Sequence, residues 1–392
     1  MADLPTSIAS RMQQIQPFHV MALLAEAKRL EAQGRHLIHM EIGEPDFDTP
    51  PRVTQAAIEA LKQGHTHYTP AVGIPELRQA ISRFYQQRYA VDIDPKRIIV
   101  TPGASGALQL ALSVLVNPGE KVLMADPSYP CNKHFVRLVE GVPVSIPVDE
   151  ASDYQLTVEL CEKHWDEQVK SVMIASPSNP TGTLINDGEL QGIVALCQSR
   201  GVPLIVDEIY HNLVYGESPQ TALAYSDDIF LINSFSKYFG MTGWRIGWLV
   251  VPEAYIHSVE KLAQNVFLAA STPAQYAALA AFEPENIKVL EQRRQEYQRR
   301  RDYLLPELKE LGFTIPCSPQ GAFYIYAGCE KFTQDSYQWC YQLLNDAGVV
   351  ITPGIDFGQY QAKTHVRFAY TTALASLKEG VSRLKNHLSF SM

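Results

Sequence analysis

Between about residues 50 and 282, short apolar runs that suit strands alternate with stretches of helical periodicity, and no repeat, low-complexity tract or linker interrupts them. Runs such as residues 98–100, 171–175 and 202–206 stay apolar almost throughout instead of alternating with polar residues. A strand buried on both faces demands that pattern. The combination predicts an α/β fold, a mostly parallel sheet with helices on both faces. Downstream the texture changes. Residues 285–311 are highly charged with leucines at helical spacing, which suits a long solvated helix better than a basic binding patch. The stretches GAFYIYAG, AGVVITPGIDFG and HVRFAYT then read as short strands.

Composition narrows the function. With 392 residues, 46% of them hydrophobic, the chain is long enough for one large core plus a smaller domain. A net charge of -9 argues against nucleic acid as a partner, because a phosphate backbone selects for a basic face. No run of about 18 apolar residues suggests a membrane span, and MADLPTSIASRMQQIQ lacks the apolar centre of a signal peptide. The six cysteines, Cys131, Cys161, Cys197, Cys317, Cys329 and Cys340, include no C-x-x-C pair. They read as reduced structural thiols of a cytoplasmic protein. The eleven histidines form no metal-ligand pattern, so no metal is expected.

The chemistry concentrates in residues 234–248, SFSKYFGMTGWRIGW. Lys237 is preceded by Ser234 and Ser236 and followed eight positions later by Arg245. A lysine amine becomes a useful nucleophile when burial or a neighbouring cation lowers its pKa, and it then holds a carbonyl as a Schiff base. The two hydroxyls and the guanidinium fork suit a phosphate. An aldehyde that also carries a phosphate is pyridoxal phosphate. Taken alone, the segment is less decisive, and a surface lysine beside a glycine-rich turn is the plainer, less favoured alternative.

Three further stretches bear on that choice. VPLIVDEIY, residues 202–210, reads as a buried parallel strand with Asp207 at its carboxyl end, where ligands of open α/β sheets gather. There Asp207 suits a pyridine nitrogen, which it would keep protonated, and Tyr210 suits the ring's phenolic oxygen. An acidic helix N-cap is the plainer reading. In SPSNPTGT, residues 176–183, two prolines and a glycine fix a turn from which Asn179 reaches for the same oxygen. IIVTPGASGAL, residues 98–108, is a strand followed by a turn of small residues and a helix, whose N-terminus favours an anion.

In this order and at these intervals the four stretches resemble the class I and II aminotransferases of pyridoxal-phosphate fold type I, from about Ile42 in EIGEPDFDTP to Arg367 in HVRFAY. Position by position, the resemblance makes Lys237 the Schiff-base lysine, Asp207 the partner of the ring nitrogen, and Tyr210 and Asn179 the ligands of the phenolic oxygen. Ala104, Ser105, Ser234, Ser236 and Arg245 would bind the phosphate, and Tyr129, in DPSYP, would stack on the ring. Arg367 falls where the family grips the substrate α-carboxylate, Gly43 where a glycine approaches that carboxylate, and Asn179 beside them. Tyr68, in HTHYTPAVGIPELR, matches a tyrosine lent to the phosphate of a neighbouring subunit, which implies a homodimer with shared sites.

Pattern and resemblance together divide the chain into an arm and part of a small domain (1–47), a large cofactor-binding domain (48–284) and the rest of the small α/β domain (285–392), with the amphipathic segment 21–32 packed beside it. The implied reaction moves an amino group from an amino acid to a 2-oxo acid in two half-reactions through Lys237, with ping-pong kinetics. The same fold supports lyases and synthases. A pyridoxal-phosphate-sensing regulator would need a DNA-binding domain, and only about 40 residues without a basic helix precede the match. The bacterial aspartate aminotransferases share GEPDFDTP, YTPAVGIPELR and MTGWRIGW with this chain, but a lysine in their phosphate-loop segment contacts the acidic side chain. Here that position is Ser105, and Tyr129 stands where those enzymes carry tryptophan. Neutral donors such as alanine, methionine or an aromatic amino acid are therefore expected to rival aspartate, with 2-oxoglutarate or pyruvate as acceptor.

Overall fold

The computed structural model describes residues 8–389, so the start of the leader-free reading, residues 1–7, and the chain end, 390–392, lie outside the described residues. In chain order the strands are β1 (Ile38–His39), β2 (Ile98–Thr101), β3 (Lys121–Asp126), β4 (Val142–Pro147), β5 (Val169–Ala175), β6 (Leu204–Asp207), β7 (Ile229–Ser234), β8 (Gly247–Val250), β9 (Tyr324–Gly328), β10 (Val349–Val350), β11 (Thr352–Pro353) and β12 (His365–Ala369).

Seven of them form one sheet in the order β2-β8-β7-β6-β5-β3-β4. Only β8 runs antiparallel to its neighbours. Near-continuous apolar sequence in the central strands follows from burial on both faces. Ile98, Val100, Val172, Ile174, Leu204, Val206, Leu231 and Trp248 pack into one core, while the alternate residues Ile99, Met173, Ile205, Phe230, Ile232 and Leu249 pack into a second on the opposite face. The expected α/β architecture with a mostly parallel sheet is the one observed.

The helices begin and end where local chemistry dictates. Helix Pro284–Leu311 opens on proline, which supplies a fixed φ and lacks a donor there, and closes on Gly312 at φ +103°. Its buried residues Leu290, Tyr297, Leu304 and Leu308 recur at helical spacing, together with Arg300, which is buried against Asp46. Helix His19–Ala32 has no side-chain cap of its own. Instead the Asp356 carboxylate, from the far end of the chain, accepts from the N–H groups of His19 and Val20, both at 2.8 Å.

Two small sheets complete the structure. β11-β12-β9 is antiparallel, and β1 pairs in parallel with β10, Ile38 opposite Val349, so the two ends of the chain meet in one region. AGVVITPGIDFG, expected as one short strand, is two. The chain crosses at Ile351 from pairing with β1 to pairing with β12. Among the described residues no helix is long and apolar enough to cross a membrane, and all six cysteines are free.

Candidate active site

Parallel strands end together, and this sheet delivers its polar residues to one edge. Ala175 pairs with Asp207 across β5 and β6, and Ser234 pairs with Gly247 across β7 and β8. Thr101, at the end of β2, pairs with the other side of Gly247. A side chain at Gly247 would place its Cβ 2.8 Å from the Asn233 carbonyl and 3.0 Å from the Ala104 nitrogen. Glycine there lets the N-terminus of helix Gly103–Leu115 close on the strand ends, so its N–H groups face the same edge.

Above that edge lies a cavity of about 440 Å³. Lys237 enters it just beyond β7 and donates from Nζ to the Gly43 carbonyl at 2.6 Å. Burial, reinforced by the Arg367 and Arg245 guanidiniums against the opposing pull of Glu44 and Asp207, lowers its amine to about 8. Asp207 is buried at the end of β6, where its Oδ1 accepts from the Ile209 N–H at 3.0 Å. Burial, with a smaller push from Glu208, raises its carboxyl to about 6. Tyr210 is tied by its hydroxyl to that of Tyr324 at 2.8 Å, and burial holds its phenol well above the usual range.

At one end of the cavity Ser234 Oγ donates to Ser236 Oγ at 3.0 Å and accepts from the Ser236 N–H at 3.0 Å. Ala104 and Ser105 line the same cavity, as does Arg245, whose Nη1 donates to the Thr242 carbonyl at 3.0 Å. Toward the small sheet, Arg367 donates through Nη1 to Asn179 Oδ1 at 2.9 Å and through Nη2 to the Glu41 carbonyl at 2.5 Å. Its guanidinium carbon lies 4.2 Å from the Tyr324 ring centroid and 4.7 Å from that of Phe357. Arg367 Nε is buried with no partner among the described residues.

Of the sequence-predicted residues, Gly43, Ala104, Ser105, Tyr129, Asn179, Asp207, Tyr210, Ser234, Ser236, Lys237, Arg245 and Arg367 all line this one cavity. Tyr68 does not, and stands 84% exposed elsewhere on the same chain. Sequence reasoning missed Tyr324, the apolar wall of Phe18, Val20, Met21 and Leu24, and Glu41. Tyr324 also explains Gly43, because a Cβ there would meet its hydroxyl at 1.9 Å. Met21 and Leu24 were visible within the amphipathic segment 21–32, which Phe18 and Val20 precede, but nothing in their spacing distinguishes a cavity wall from a packed core. Among the described residues no cluster of histidine, cysteine, aspartate or glutamate is arranged to hold a metal ion.

Comparison with known proteins agrees with this geometry. The family model for aminotransferase class I and II matches residues 35–384. The chain is 38% identical over 386 residues to (5-formylfuran-3-yl)methyl phosphate transaminase of Methanocaldococcus jannaschii, covering 97% of this chain and 100% of the relative. It is 37% identical over 377 residues to valine–pyruvate aminotransferase of Mycobacterium tuberculosis, covering 95% and 97%. A crystal structure of an aminotransferase from Mycobacterium tuberculosis superposes with a TM-score of 0.95 at 36% identity, covering 98% of this chain and 100% of that one. The similarity runs along nearly the whole sequence, and the chain belongs to the class I and II aminotransferases, transferases of amino groups whose family depends on pyridoxal phosphate.

Proposed function

We propose that this enzyme holds pyridoxal phosphate and moves an amino group from an amino acid with a neutral side chain to a 2-oxo acid, pyruvate or 2-oxoglutarate, with ping-pong kinetics. The observation that carries the reading is Lys237, an amine lowered to about 8 between a buried carboxylate, Asp207, and an anion cradle of Ser234, Ser236 and Arg245. The donor set fits the cofactor. Hydroxyls, a guanidinium and a helix N-terminus suit its phosphate, to which Tyr68 of a neighbouring copy would add a further hydroxyl. Asp207 suits its ring nitrogen, Tyr210 and Asn179 its phenolic oxygen, and Tyr129 its ring face. When bound, the group supplies an aldehyde for amines and a ring that accepts the electron pair left on the substrate's Cα.

The protein's own residues do the rest. Arg367, braced by Asn179 and the Glu41 carbonyl, offers its guanidinium to the substrate α-carboxylate beside Gly43. That grip fixes the direction of the Cα–H bond. Lys237 Nζ, whose lowered pKa of about 8 leaves a minor fraction of the amine unprotonated near physiological pH, then takes the Cα proton as general base. Lys237, Arg245 and Arg367 are the cavity's lysine and arginines, and all three are committed by this scheme. Among the described residues that line the cavity no further lysine or arginine is left for an acidic side chain, whereas Phe18, Val20, Met21 and Leu24 offer an apolar surface.

The test is a panel of donors. Alanine, methionine and phenylalanine should match or exceed aspartate in kcat/KM with a common acceptor, and borohydride should fix the cofactor on Lys237. A label on another lysine would overturn the assignment. So, for the substrate class, would a preference for aspartate of about a hundredfold over every neutral donor, the size that a dedicated charge-assisted contact produces.

A further inference from the structure

Tyr324 opens β9 and is 1% exposed, and three neighbours at once place its side chain. Across the antiparallel ladder Arg367 pairs with Tyr326 and Ala369 with Tyr324, so Tyr324 is the diagonal neighbour of Arg367 on the same face of the sheet. That register sets the phenol ring against the guanidinium, whose carbon lies 4.2 Å from the ring centroid. At its far end the hydroxyl rests against Gly43, where no Cβ could fit, and lies 2.8 Å from the Tyr210 hydroxyl. The Gly43 carbonyl in turn holds Lys237 Nζ at 2.6 Å. The hydroxyl pair therefore joins the three-stranded sheet to the turn that follows β6, beside the cavity's reactive amine, and both tyrosines line that cavity.

Two hydroxyls carry two hydrogens, and the bond between them uses only one. Among the described residues neither hydroxyl has a second hydrogen-bond partner. Acidity decides which of the two donates. Burial raises both phenols, but at Tyr324 the Arg367 charge is the first influence to oppose it, whereas Tyr210 is held well above the usual range. The more acidic hydroxyl is the better donor. Tyr324 therefore donates, Tyr210 accepts, and the Tyr210 hydrogen is the one left without an acceptor among the described residues.

We propose that Tyr324 is a positioning residue for the reaction: by donating to Tyr210 it turns the Tyr210 hydrogen toward the cofactor's phenolic oxygen and strengthens it as a donor. The inference rests on the reading above that Tyr210 serves that oxygen. A hydroxyl whose own oxygen accepts a hydrogen bond is polarised and donates more strongly. The phenolic oxygen is negative when the Schiff base of Lys237 has lost its proton, so a stronger donor there lowers the pH at which that proton leaves. The visible absorbance of the loaded protein reports this midpoint without turnover.

Tyr324→Phe removes the hydroxyl while keeping a ring against Arg367. Losing a hydrogen bond to a charged oxygen outright moves such a midpoint by about one to two pH units, the rise expected of Tyr210→Phe. Losing only the polarisation is worth a fraction of that, so Tyr324→Phe should raise the midpoint by about 0.2 to 0.5 unit. Because Tyr324 acts through Tyr210, the double variant should match Tyr210→Phe alone, whereas independent effects would add. Replacing Tyr324 by 3-fluorotyrosine keeps the hydroxyl and makes it a stronger donor, so the midpoint should fall. If Tyr324→Phe leaves the midpoint within about 0.1 unit of wild type, or if its effect persists undiminished in the double variant, Tyr324 only fills space and the proposal fails while Tyr210 keeps its role. A midpoint that ignores Tyr210→Phe as well would sink the phenolic-oxygen reading together with it.

Discussion

Lys237 Nζ acts as a base only when it carries no proton, and its surroundings decide at which pH that happens. An ordinary lysine releases its proton near 10.5, whereas burial and the neighbouring guanidiniums bring Lys237 to about 8. In protein freed of cofactor, reductive labelling of Lys237 should therefore rise through a midpoint near 8. Arg367→Gln removes one of the cations that disfavour the ammonium, so the midpoint should move upward. A midpoint unchanged by that substitution and close to 10.5 would show that the amine is as well solvated as any surface lysine. At Asp207 the argument concerns charge rather than shape. Asp207→Asn keeps the size of the side chain and its bond from the Ile209 N–H, but removes the negative charge that holds a ring nitrogen protonated. Turnover should fall by on the order of 10², as for loss of a preorganised electrostatic contact. A near-normal rate would remove Asp207 from the mechanism.

Pairs of elements, more than single residues, decide whether the cavity exists at all. Gly247→Ala would press a methyl group against the backbone of Asn233, Gly103 and Ala104, at 2.8 to 3.0 Å, and backbone cannot swing aside. The expected cost is about 1–3 kcal/mol of stability, as for overpacking a tight site. Phosphate retention should weaken as well, because the helix N-terminus is displaced; denaturant titration and cofactor release measure the two separately. His39 joins β1 to helix His19–Ala32 in a different way. Hydrogen bonding to Glu41, with help from Glu31, raises its imidazole from 6.5 to about 9. A raised pKa means that the folded state holds the proton more tightly, so this stabilisation is complete below pH 6.5 and lost as the pH climbs through 9. The stability advantage of wild type over His39→Gln should shrink across that range, as followed by thermal unfolding. These couplings mark the limit of what the sequence discloses. Apolar strand runs, the turn prolines and the spacing from Lys237 to Arg245 are local, and each pointed correctly to its place in the structure. Tyr324, on β9, and Glu41, beside β1, act through Gly43 and His39 across packing between distant segments, and nothing in their own neighbourhoods signals it. Phe18 and Leu24 were legible as apolar but not as cavity wall, because burial in a core and exposure to a ligand select the same residue types.

On the scale of the whole molecule one expected contributor is out of place. Tyr68 does not line the cavity of its own chain, yet this large aromatic residue stands 84% exposed, and Ile58 and Leu61 are also uncovered at 41% and 54%. Apolar surface of this kind suits burial against another copy. If a second copy brings its Tyr68 to the phosphate end of this cavity, neither copy is complete alone, and the symmetry of a dimer makes the exchange mutual. Tyr68→Phe should leave the dimer intact while weakening cofactor retention by about 1–3 kcal/mol, the worth of one hydrogen bond to a charged group. A sharper test uses two defective variants. Lys237→Ala has no lysine for the Schiff base, and Tyr68→Ala lacks the lent side chain. In a hybrid dimer one site carries both defects and the other carries neither. Random reassortment makes about half the dimers hybrid, so about a quarter of all sites should be intact. Unfolding and refolding the two variants together should then yield activity well above the mean of the separately treated parents, approaching a quarter of wild type. Were Tyr68 to act within its own chain, every chain would keep one defect, and the mixture would never exceed that mean.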